Sequence, residues 1–491
     1  MKRDQEKQSN YQTFQIWIKK GHRMYAYFQE SCQNAKNMYN TTNFYIRQVY
    51  TGLTQEKELH PVQKEVLDTI DQYLEKMNDT QLLAYQKKWG KEKTKPKEKQ
   101  KEIKCNLFSK PTKEKPHVDY HFLDALFKVI LQKDYRSLPA QSSQSIMKAV
   151  FQNWRSFFAS LRDYQQNPNK YTGRPRIPKY IRSAEKEVLY TNQDCVIKHD
   201  TFLKFPKTKC RLNIGKLGFI KGKLKQVRVI PKYNAYVVEL VVDVPAETQF
   251  IEENGRYMGI DLGVDNLATI VTNTGMKPVL VKGKQIKSIN QYYNRLKSYF
   301  TSILRQGKQA NEGPFTSKRL ENLHQKRYLK IKDLFHKASH EIIKRAQEER
   351  ICKIVIGQNK RWKQETNMGK KQNQTFCHIP HRILIQMITY KAEAVGIQVI
   401  VTEESYTSKA SFLDHDFIPT YGTNDRHATF SGKRIKRGMY RSEKGIFINA
   451  DVNAAANILR KAFPNAWTNG IEGLGVKQFA SVLTPLTFIA H

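Results

Sequence analysis

Hydrophobic and polar positions follow three different patterns along this chain. Residues 1–160 carry aromatic and aliphatic side chains at three- and four-residue steps among lysines and asparagines, which predicts helices. The clearest stripe, over 141–164, consists of Ile146, Val150, Trp154, Phe157, Phe158 and Leu161. The simplest interpretation of this stripe is a buried helix face.

The pattern changes near residue 166. Residues 167–180 (NPNKYTGRPRIPKY) are basic and broken by proline and glycine, which predicts an irregular loop. Strand-like runs follow, and LKQVRVIPKYNAYVVELVVDV predicts a hairpin with its turn at 231–234. Residues 166–252 therefore indicate a small β-rich domain with a positive solvent face.

A third pattern begins at Arg256. The run RYMGIDLGVDNLATIVTNTGMKPVLVKG predicts three consecutive strands. After it the chain predicts, in order, a lysine-rich helical stretch (285–350), the strand KIVIG (353–357), a helix (380–395), a strand (397–401), a polar stretch to about 446 and a helix (451–462). Antiparallel strands followed by alternating strands and helices are typical of an RNase H-like α/β domain. We expect a multidomain α+β protein.

Charge points to a polyanionic partner. The 491 residues contain 84 Lys and Arg against 45 Asp and Glu, a formal net charge of +39. Nucleic acid is the favoured counter-charge, because neutralising phosphates releases counterions. Acidic lipid or a disordered basic tail is the alternative, and it is weaker because the charge runs through patterned segments.

Cysteine spacing and hydropathy bear on metal binding and on the cellular compartment. None of the six cysteines forms a C-x-x-C pair, so neither a zinc ribbon nor a redox motif is indicated. The sequence has no long apolar run, so no membrane association is expected. We expect a cytoplasmic, nucleoid-associated protein, or a nuclear one if the host is eukaryotic.

Two aspartates are candidates for catalysis. Asp261 lies at the centre of a predicted buried strand, GIDLG, where a carboxylate is costly to desolvate unless it binds something. A divalent metal suits a domain that faces a polyanion, although GIDLG also opens actin-like ATPase folds. Asp451 starts the alanine-rich final helix, where it could instead be a simple N-cap. No second glycine-rich phosphate loop follows, which disfavours the ATPase. Asp265 is most simply a turn residue.

Several motifs, in order, resemble one known family. They are GIDLGVDNLATI, IGQNKRWKQ, ESYTSKAS, FSGKRIKRGMYRS and ADVNAAANILRK. Together they resemble the RuvC domain of the transposon-encoded TnpB proteins, which are relatives of the Fanzor proteins and of compact type V CRISPR effectors. GRPRIPKY at 173–180 resembles the basic loop that precedes their wedge domain. The resemblance covers most of 145–465, whereas residues 1–140 match only in being helical and basic.

The resemblance implies an RNA-guided DNA endonuclease with three parts. These are a helical recognition lobe (1–165, with wedge residues at 1–20 as an option), a β-barrel wedge domain (166–252) and an RNase H-like RuvC nuclease domain (253–491) with a nucleic-acid-binding insertion at about 406–446. The implied partners are a structured guide RNA and double-stranded DNA with a short flanking motif, and a monomer is favoured. The implied cofactor is Mg²⁺, with Mn²⁺ as an alternative.

The same resemblance places the catalytic residues. Asp261 and Asp451 match the family's first and third catalytic positions, but Gly357 and Gln358 stand where a glutamate is usual. We predict that Glu404, directly before Ser-Tyr-Thr-Ser, supplies the missing metal ligand. Glu403 is the reserve, because side chains alternate along a strand and only one of the two should face the metal. Glu365 is too far beyond the strand end.

The resemblance also bears on zinc and on nucleic-acid contacts. Ser411 stands where many family members have a zinc-ribbon cysteine, so we expect no structural zinc and interpret His415 and His427 as surface residues. The expected nucleic-acid contacts are Lys170, Tyr171, Arg174, Arg176, Lys179, Lys433, Arg434, Lys436 and Arg437. A merely solvated basic face is the less favoured alternative for the last four.

Two other functions stay open at this point. The first is a cleavage-deficient, RNA-guided repressor, which is disfavoured because both aspartates are present. The second is a guide-free nuclease of the Holliday-junction-resolvase type. It is disfavoured because such an enzyme would not need a basic segment of about 250 residues before its catalytic domain.

Overall fold

A computed structural model describes residues 10–96, 100–219, 222–244, 250–359, 369–422, 428–467 and 485–490. Contacts within the chain separate two compact units, Met1–Pro245 and Ala246–His491. The division into three domains stays a prediction. No helix among the described residues is long and apolar enough to span a membrane.

The helices of the first unit bury the stripe that the sequence predicts. The described helices are α1 (Tyr25–Thr54), α2 (Pro61–Lys93), α3 (Tyr120–Val129), α4 (Lys133–Ser137) and α5 (Ala140–Gln166). On α5 the buried side chains include Ile146, Val150, Trp154 and Phe157, which confirms the predicted core face. The Trp154 indole N–H donates to Asn43 Oδ1 of α1 at 2.9 Å, so its one polar atom is satisfied inside the core.

Two sheets complete the described part of the first unit. One contains β1 (Asn10–Ile18), β2 (Val188–Thr191), β6 (Lys223–Lys232) and β7 (Ala235–Val244), in the order β1-β7-β6-β2. The other contains β3 (Val196–Lys198), β4 (Phe202–Lys204) and β5 (Arg211–Asn213). Strand β1 pairs along its whole length with β7, so the N-terminal residues 10–18 join the β-rich segment. In the four-stranded sheet β1 and β2 are the two edge strands, so its described strands do not form a closed barrel.

Strands β6 and β7 form the hairpin that the sequence predicts. Lys232 pairs with Ala235, which leaves Tyr233 and Asn234 as a two-residue turn. Both turn residues have positive φ, 53° and 54°. Such a turn matches the right-handed twist of the flanking strands.

A six-stranded sheet forms the centre of the second unit. Its strands are β8 (Tyr257–Leu262), β9 (Asn266–Thr272), β10 (Val279–Lys282), β11 (Lys353–Gly357), β12 (Gln398–Thr402) and β16 (Leu486–Phe488). The order is β12-β11-β8-β9-β10-β16. The three strands predicted after Arg256 are confirmed as an antiparallel meander. Strands β11 and β12 run parallel to β8, so the carboxyl ends of all three lie at one edge.

The described helices of this unit are α6 (Lys284–Arg305), α7 (Lys318–Glu348), α8 (Lys370–Cys377), α9 (His381–Glu393) and α10 (Ala450–Ala462). The helical stretch predicted over 285–350 consists of two helices, α6 and α7, separated by residues 306–317. Gly307 adopts a left-handed φ of 72° just after α6, and Pro314 cannot continue a helical hydrogen-bond ladder. Ser317 then caps α7, accepting the Leu320 N–H at 3.3 Å.

Helix α10 lies directly against β8. A Cβ added to Gly259 would come within 2.6 Å of the Ala455 carbonyl oxygen, so only glycine permits this approach. Ala454, Ala455 and Ala456 of α10 are all buried. The alanine-rich sequence thus fixes the start of α10 close to the end of β8.

A small sheet precedes α10 in the chain. It consists of β13 (Lys433–Lys436), β14 (Met439–Arg441) and β15 (Phe447–Asn449), in that order. The sequence predicts only a polar stretch here, because these strands are short and β13 is wholly exposed. Strand β15 leads directly into α10.

Candidate functional site

An open cleft lies at the edge where β8, β11 and β12 end. Its volume is about 1200 Å³, and its walls include Asp261, Glu404, Lys287, Arg434 and Arg437. The parallel arrangement of the three strands brings Asp261 and Glu404 to the same edge from distant parts of the sequence. Acidic and basic groups therefore face one another across this cleft.

Asp261 is the most perturbed carboxyl group of the cleft. Burial raises its pKa well above the ordinary aspartate value, and the charges of Glu404 and Asp451 raise it further. Arg434 opposes this effect. The charges of Glu404 and Asp451 thus both reach Asp261, although the three residues are far apart in the sequence.

Glu404 follows β12 and points into the cleft. Burial raises its pKa to about 7, and repulsion from Glu403 contributes, while hydrogen bonding at Asn359 and the charge of Lys461 act in the opposite direction. The Glu404 backbone N–H donates to Asn359 Oδ1 at 3.0 Å. Asn359 lies just beyond the end of β11, so this hydrogen bond links the end of β11 to the glutamate that follows β12.

Glu403 points elsewhere. Its carboxylate forms an ion pair with Lys461 of α10, whose ammonium also donates to the carbonyls of Ser405 and Pro419, both at 3.1 Å. Burial alone would raise the pKa of Glu403, but hydrogen bonds from Lys461 and Ser405 outweigh it and lower that pKa. Glu403 is thus committed to a structural ion pair, and Glu404 is the one that lines the cleft.

Asp451 is not the N-cap of α10. Asn449 is, since its side chain accepts the N–H groups of Asp451 and Val452 at 3.0 and 3.2 Å. Asp451 Oδ2 instead accepts from Asn266 Nδ2 at 2.6 Å, and Oδ1 lies 3.9 Å from Arg434 Nη2. The capping interpretation of Asp451 is therefore wrong, and its carboxylate faces other functional groups.

Carboxylates are the ligands that Mg²⁺ and Mn²⁺ prefer. Among the described residues, no three Asp, Glu, His or Cys side chains are arranged to hold an ion together. The electrostatics nonetheless fit a divalent cation, because the charges of Glu404 and Asp451 both oppose ionisation of Asp261, and a cation would offset that repulsion. The assignment of Asp261, Glu404 and Asp451 as metal ligands stays a prediction.

Basic side chains of β13 and the turn after it approach these acids. Arg437 and Lys287 both form ion pairs with Asp265, which is therefore more than a turn residue. Arg434 approaches Asp451. Lys433 and Lys436 are exposed and have no ion pair in the described part of the chain. Two of the four predicted basic contacts, Arg434 and Arg437, thus line the cleft itself.

The predicted basic loop of the first unit divides into two sets. Lys170 Nζ and the Tyr171 hydroxyl donate to Asp163 Oδ2 at 2.7 and 2.6 Å, and hydrogen bonds from these two residues lower the pKa of Asp163 to about 2. Both predicted side chains therefore hold the loop on α5. Arg174, Arg176 and Lys179 are exposed and form no ion pair with any described residue, which leaves them available to a ligand.

A hydrogen-bonded network joins the segments around 411, 431 and 443, where Ser411 stands in place of the zinc-ribbon cysteine discussed above. The Ser411 hydroxyl donates to Asp414, and the Ser431 hydroxyl donates to Asp416. The Glu443 N–H also donates to Asp414 at 2.8 Å. His415 is exposed, and His427 lies outside the described residues, as does Glu365. Side-chain carboxylates therefore link the segments around 411, 431 and 443.

Two buried asparagines of α10 hold the segment that follows Glu404. Asn457 Nδ2 donates to the Thr407 and Ala410 carbonyls at 2.9 and 2.7 Å. Asn453 accepts the Phe412 N–H and donates to the Ala410 carbonyl. The sequence signal for this role is an amide every fourth residue on an otherwise apolar helix face.

Sequence reasoning missed two positioning residues. Asn266 links Asp451 to Lys282, whose ammonium donates to Asn266 Oδ1 at 3.0 Å. His381 is buried at the start of α9, and its Nε2–H donates to the Gly263 carbonyl at 3.0 Å, holding the turn after Asp261. Neither residue has a distinctive spacing, so only the three-dimensional contacts identify them.

Comparison with known families confirms the resemblance seen in the motifs. Residues 237–363 match the model of OrfB_IS605, a probable transposase, and residues 381–458 match the Cas12f1-like TNB domain. The two segments contain Asp261, Glu404 and Asp451. The chain is therefore related to the TnpB proteins and to compact type V CRISPR effectors.

Two individual proteins illustrate the relationship. The chain is 28% identical over 239 residues, 47% of its length, to the CRISPR-associated endodeoxyribonuclease Cas12f1 of Sulfoacidibacillus thermotolerans. It is 26% identical over 216 residues, 43% of its length, to the TnpB-like protein ORF457 of Acidianus two-tailed virus. The matches span 51% and 42% of those relatives, so the chain covers about half of each.

Among solved structures, a Cas12f1–sgRNA–target DNA complex aligns with 92% of this chain and 98% of the solved chain, with a TM-score of 0.44 and 13% identity.

Proposed function

We propose that this protein is an RNA-guided DNA endonuclease that cleaves by phosphodiester hydrolysis in the cleft of its second unit. The observation that carries the proposal is that Asp261 and Glu404 line one cleft, with Asp451 of the first turn of α10 near enough for its charge to raise the pKa of Asp261. The sheet order β12-β11-β8-β9-β10, with an antiparallel meander followed by parallel strands, supports an RNase H-like, RuvC-type nuclease. The relationship to Cas12f1 and TnpB proteins supports RNA guidance.

Asp261, Glu404 and Asp451 would hold Mg²⁺, or Mn²⁺ in its place. Bound divalent ions supply an activated water and stabilise the leaving oxygen during phosphodiester hydrolysis. To serve as a ligand, Asp451 exchanges part of its contact with Asn266 and Arg434. Asn266 keeps this carboxylate at the cleft, and Lys461 keeps the competing carboxylate of Glu403 away from it.

The basic residues of the cleft suit a phosphate backbone. Arg434 and Arg437 reach into the cleft from the small sheet and would exchange Asp451 and Asp265 for phosphate oxygens when a strand enters. Lys433 and Lys436 would extend the same contact along the strand. Positive charge beside the carboxylates would draw DNA towards groups that alone would repel it.

The first unit would bind guide RNA and the flanking DNA. Arg174, Arg176 and Lys179 are its best-supported contacts, because they are exposed and form no ion pair with described residues. The formal charge of +39 supports a protein that grips nucleic acid mainly by its backbone while base pairing reads sequence. We retain the recognition lobe, wedge and nuclease domains as part of this proposal.

The proposal has a direct test in two steps. RNA that copurifies with the expressed protein is sequenced, and the expected result is one structured species that ends in a variable segment. The ribonucleoprotein is then incubated with Mg²⁺ and plasmids that carry a matching target beside randomised flanking bases. Cleavage that depends on both the match and a short flanking motif is expected.

Other outcomes would identify the rival functions. Target binding without cleavage by the wild-type protein would indicate an RNA-guided repressor. Cleavage of branched DNA without any RNA would indicate a guide-free resolvase. Random cellular RNA in the purified complex, with no guided cutting, would contradict the proposal.

A further inference from the structure

A second groove lies between α6 and α7, apart from the carboxylates. Its volume is about 650 Å³. Side chains of α6, including Tyr292, Tyr293 and Phe300, line one wall, and side chains of α7, including Arg319, Lys326 and Lys330, line the other. None of the described residues that line it is acidic. One wall is thus aromatic and the other basic.

Hydrogen bonds join α6 and α7 at the floor of the groove. The Tyr293 hydroxyl is hydrogen-bonded to His324 Nδ1 at 2.9 Å, and the Arg327 guanidinium lies 4.8 Å from the centre of the Tyr293 ring. Arg327 also donates to Asn290 Oδ1 and to the His378 carbonyl, both at 2.7 Å. These contacts occupy Arg327 and link α6 to α7.

The rim presents uncommitted cations and an exposed ring. Arg319, Lys326 and Lys330 recur on one exposed face of α7 and form no ion pair with other described residues. On α6, Tyr292 is 56% exposed and belongs to the groove wall. Single exposed tyrosines are ordinary on protein surfaces, but a tyrosine beside a row of three unpaired cations is a specific combination.

We propose that this groove binds unpaired nucleotides, with a base stacked on Tyr292 and the phosphates held by Arg319, Lys326 and Lys330. Charge complementarity favours a polyanion over a protein segment, because every charged group in the lining is positive. The aromatic wall favours single-stranded over double-stranded nucleic acid, since base faces are accessible only when bases are unpaired. RNA and DNA share this chemistry. The inference extends the proposed function but concerns binding alone, so it can be tested without cleavage.

The test measures binding of fluorescent oligonucleotides of about ten to sixteen nucleotides in buffer with EDTA, where no metal-dependent cleavage occurs. Oligouridine, oligothymidine and a duplex of equal length are compared. The variants are Tyr292→Leu and the double variant Lys326→Gln/Lys330→Gln. Tyr390→Leu and Lys344→Gln are controls, since Tyr390 is 50% exposed on another helix and Lys344 is exposed near the far end of α7, where it pairs with Glu348.

Tyr292→Leu is expected to weaken single-strand binding about tenfold, which corresponds to one lost stacking contact, and to leave duplex binding unchanged. The double lysine variant should weaken single-strand binding and flatten its salt dependence. A larger loss of affinity for oligouridine would identify RNA as the ligand of the groove, and a larger loss for oligothymidine would identify DNA. Photocrosslinking of a thiolated oligonucleotide should mark peptides within 288–330.

Two outcomes would overturn the inference. One is unchanged affinity of Tyr292→Leu for both single strands, which would leave the groove to a protein partner. The other is an equal loss in Tyr292→Leu and Tyr390→Leu, which would indicate a general effect of removing a surface tyrosine. Thermal unfolding of each variant checks that the fold is retained. A nuclease that fails to cut but shows the expected binding pattern would contradict only the proposed function.

Discussion

The carboxylate of Glu404 occupies the space in which a side chain at position 357 would begin. A Cβ added to Gly357 would lie 2.8 Å from Glu404 Oε2 and 2.5 Å from Ile458 Cδ1. These distances are shorter than a carbon atom tolerates. The absence of a side chain at Gly357 therefore leaves room for the Glu404 carboxylate, which we predict supplies the acid that the end of β11 lacks.

We predict that Gly357→Ala is destabilising and inactivating. The added methyl group would have to displace the Glu404 carboxylate or the Ile458 side chain, and overpacking of this kind costs about 1–3 kcal/mol. Urea unfolding measures the stability, and metal-dependent DNA cleavage measures the displacement of Glu404. Gly90→Ala on α2 is the control, because a Cβ there meets nothing within 4 Å. Equal activity of Gly357→Ala and wild type would contradict the close approach.

The contribution of Glu404 to the stability of the metal-free protein should fall as pH rises from about 4.5 to about 7. The folded state raises the pKa of Glu404 from 4.5 to about 7, so between these values it binds a proton that the unfolded state has released. The stabilisation is complete at the acid end and is lost as pH passes the folded pKa. A shift of this size amounts to at most about 3 kcal/mol.

Glu404→Gln should flatten that pH dependence, because its neutral amide does not titrate. The measurement is the free energy of urea unfolding at several pH values in EDTA, for wild type and variant. Glu403→Gln serves as the comparison, since the pKa of Glu403 is shifted in the opposite direction. Parallel pH profiles for wild type and Glu404→Gln would show that Glu404 is not buried as described.

Divalent ions should stabilise the wild-type protein near neutral pH. A bound cation would offset the charges of Glu404 and Asp451 that oppose ionisation of Asp261, and binding to the folded state alone raises the melting temperature. Mg²⁺ or Mn²⁺ is expected to raise it in wild type but much less in Asp261→Asn. A rise of the same size in both proteins would place the ion elsewhere.

Asn457→Leu should destabilise the second unit by about 1–3 kcal/mol. The change leaves the Thr407 carbonyl without the donor that α10 provides in a buried setting, and it removes one of the two α10 donors to the Ala410 carbonyl, which keeps Asn453. Urea unfolding gives the free energy, and Gln347→Ala on the exposed face of α7 is the control, expected within about 0.5 kcal/mol of wild type. A stable Asn457→Leu variant would mean that the 407–412 segment is held by other contacts.

Periodicity sufficed for much of the fold. The stripe on α5, the β6–β7 hairpin and the three strands from Tyr257 to Lys282 are recognisable because each repeats one pattern over many residues. The break between α6 and α7 was missed, since Gly307 and Pro314 lie within a continuous lysine-rich pattern. The strands β13 to β15 were missed because three or four residues do not establish a period.

The candidate site was predictable only in part. Its acids can be named from their positions in motifs, but the choice between Glu403 and Glu404 depends on Lys461, which lies 57 residues or more along the chain and pairs with only one of them. Asn266 and His381 act through single long-range hydrogen bonds that leave no local sequence pattern. Distant pairings of this kind require coordinates.

The central claim is that Glu404, and not Glu403, completes the acidic site. Its most direct test is guided plasmid cleavage by wild type, Glu404→Gln and Glu403→Gln, each with the same RNA and Mg²⁺. Glu404→Gln is expected to lose about 100-fold or more in rate, since losing even an outer partner of a metal ligand costs 10- to 100-fold. Glu403→Gln should retain cleavage at temperatures where it stays folded. Loss of cutting in Glu403→Gln, with full activity in Glu404→Gln, would contradict the account.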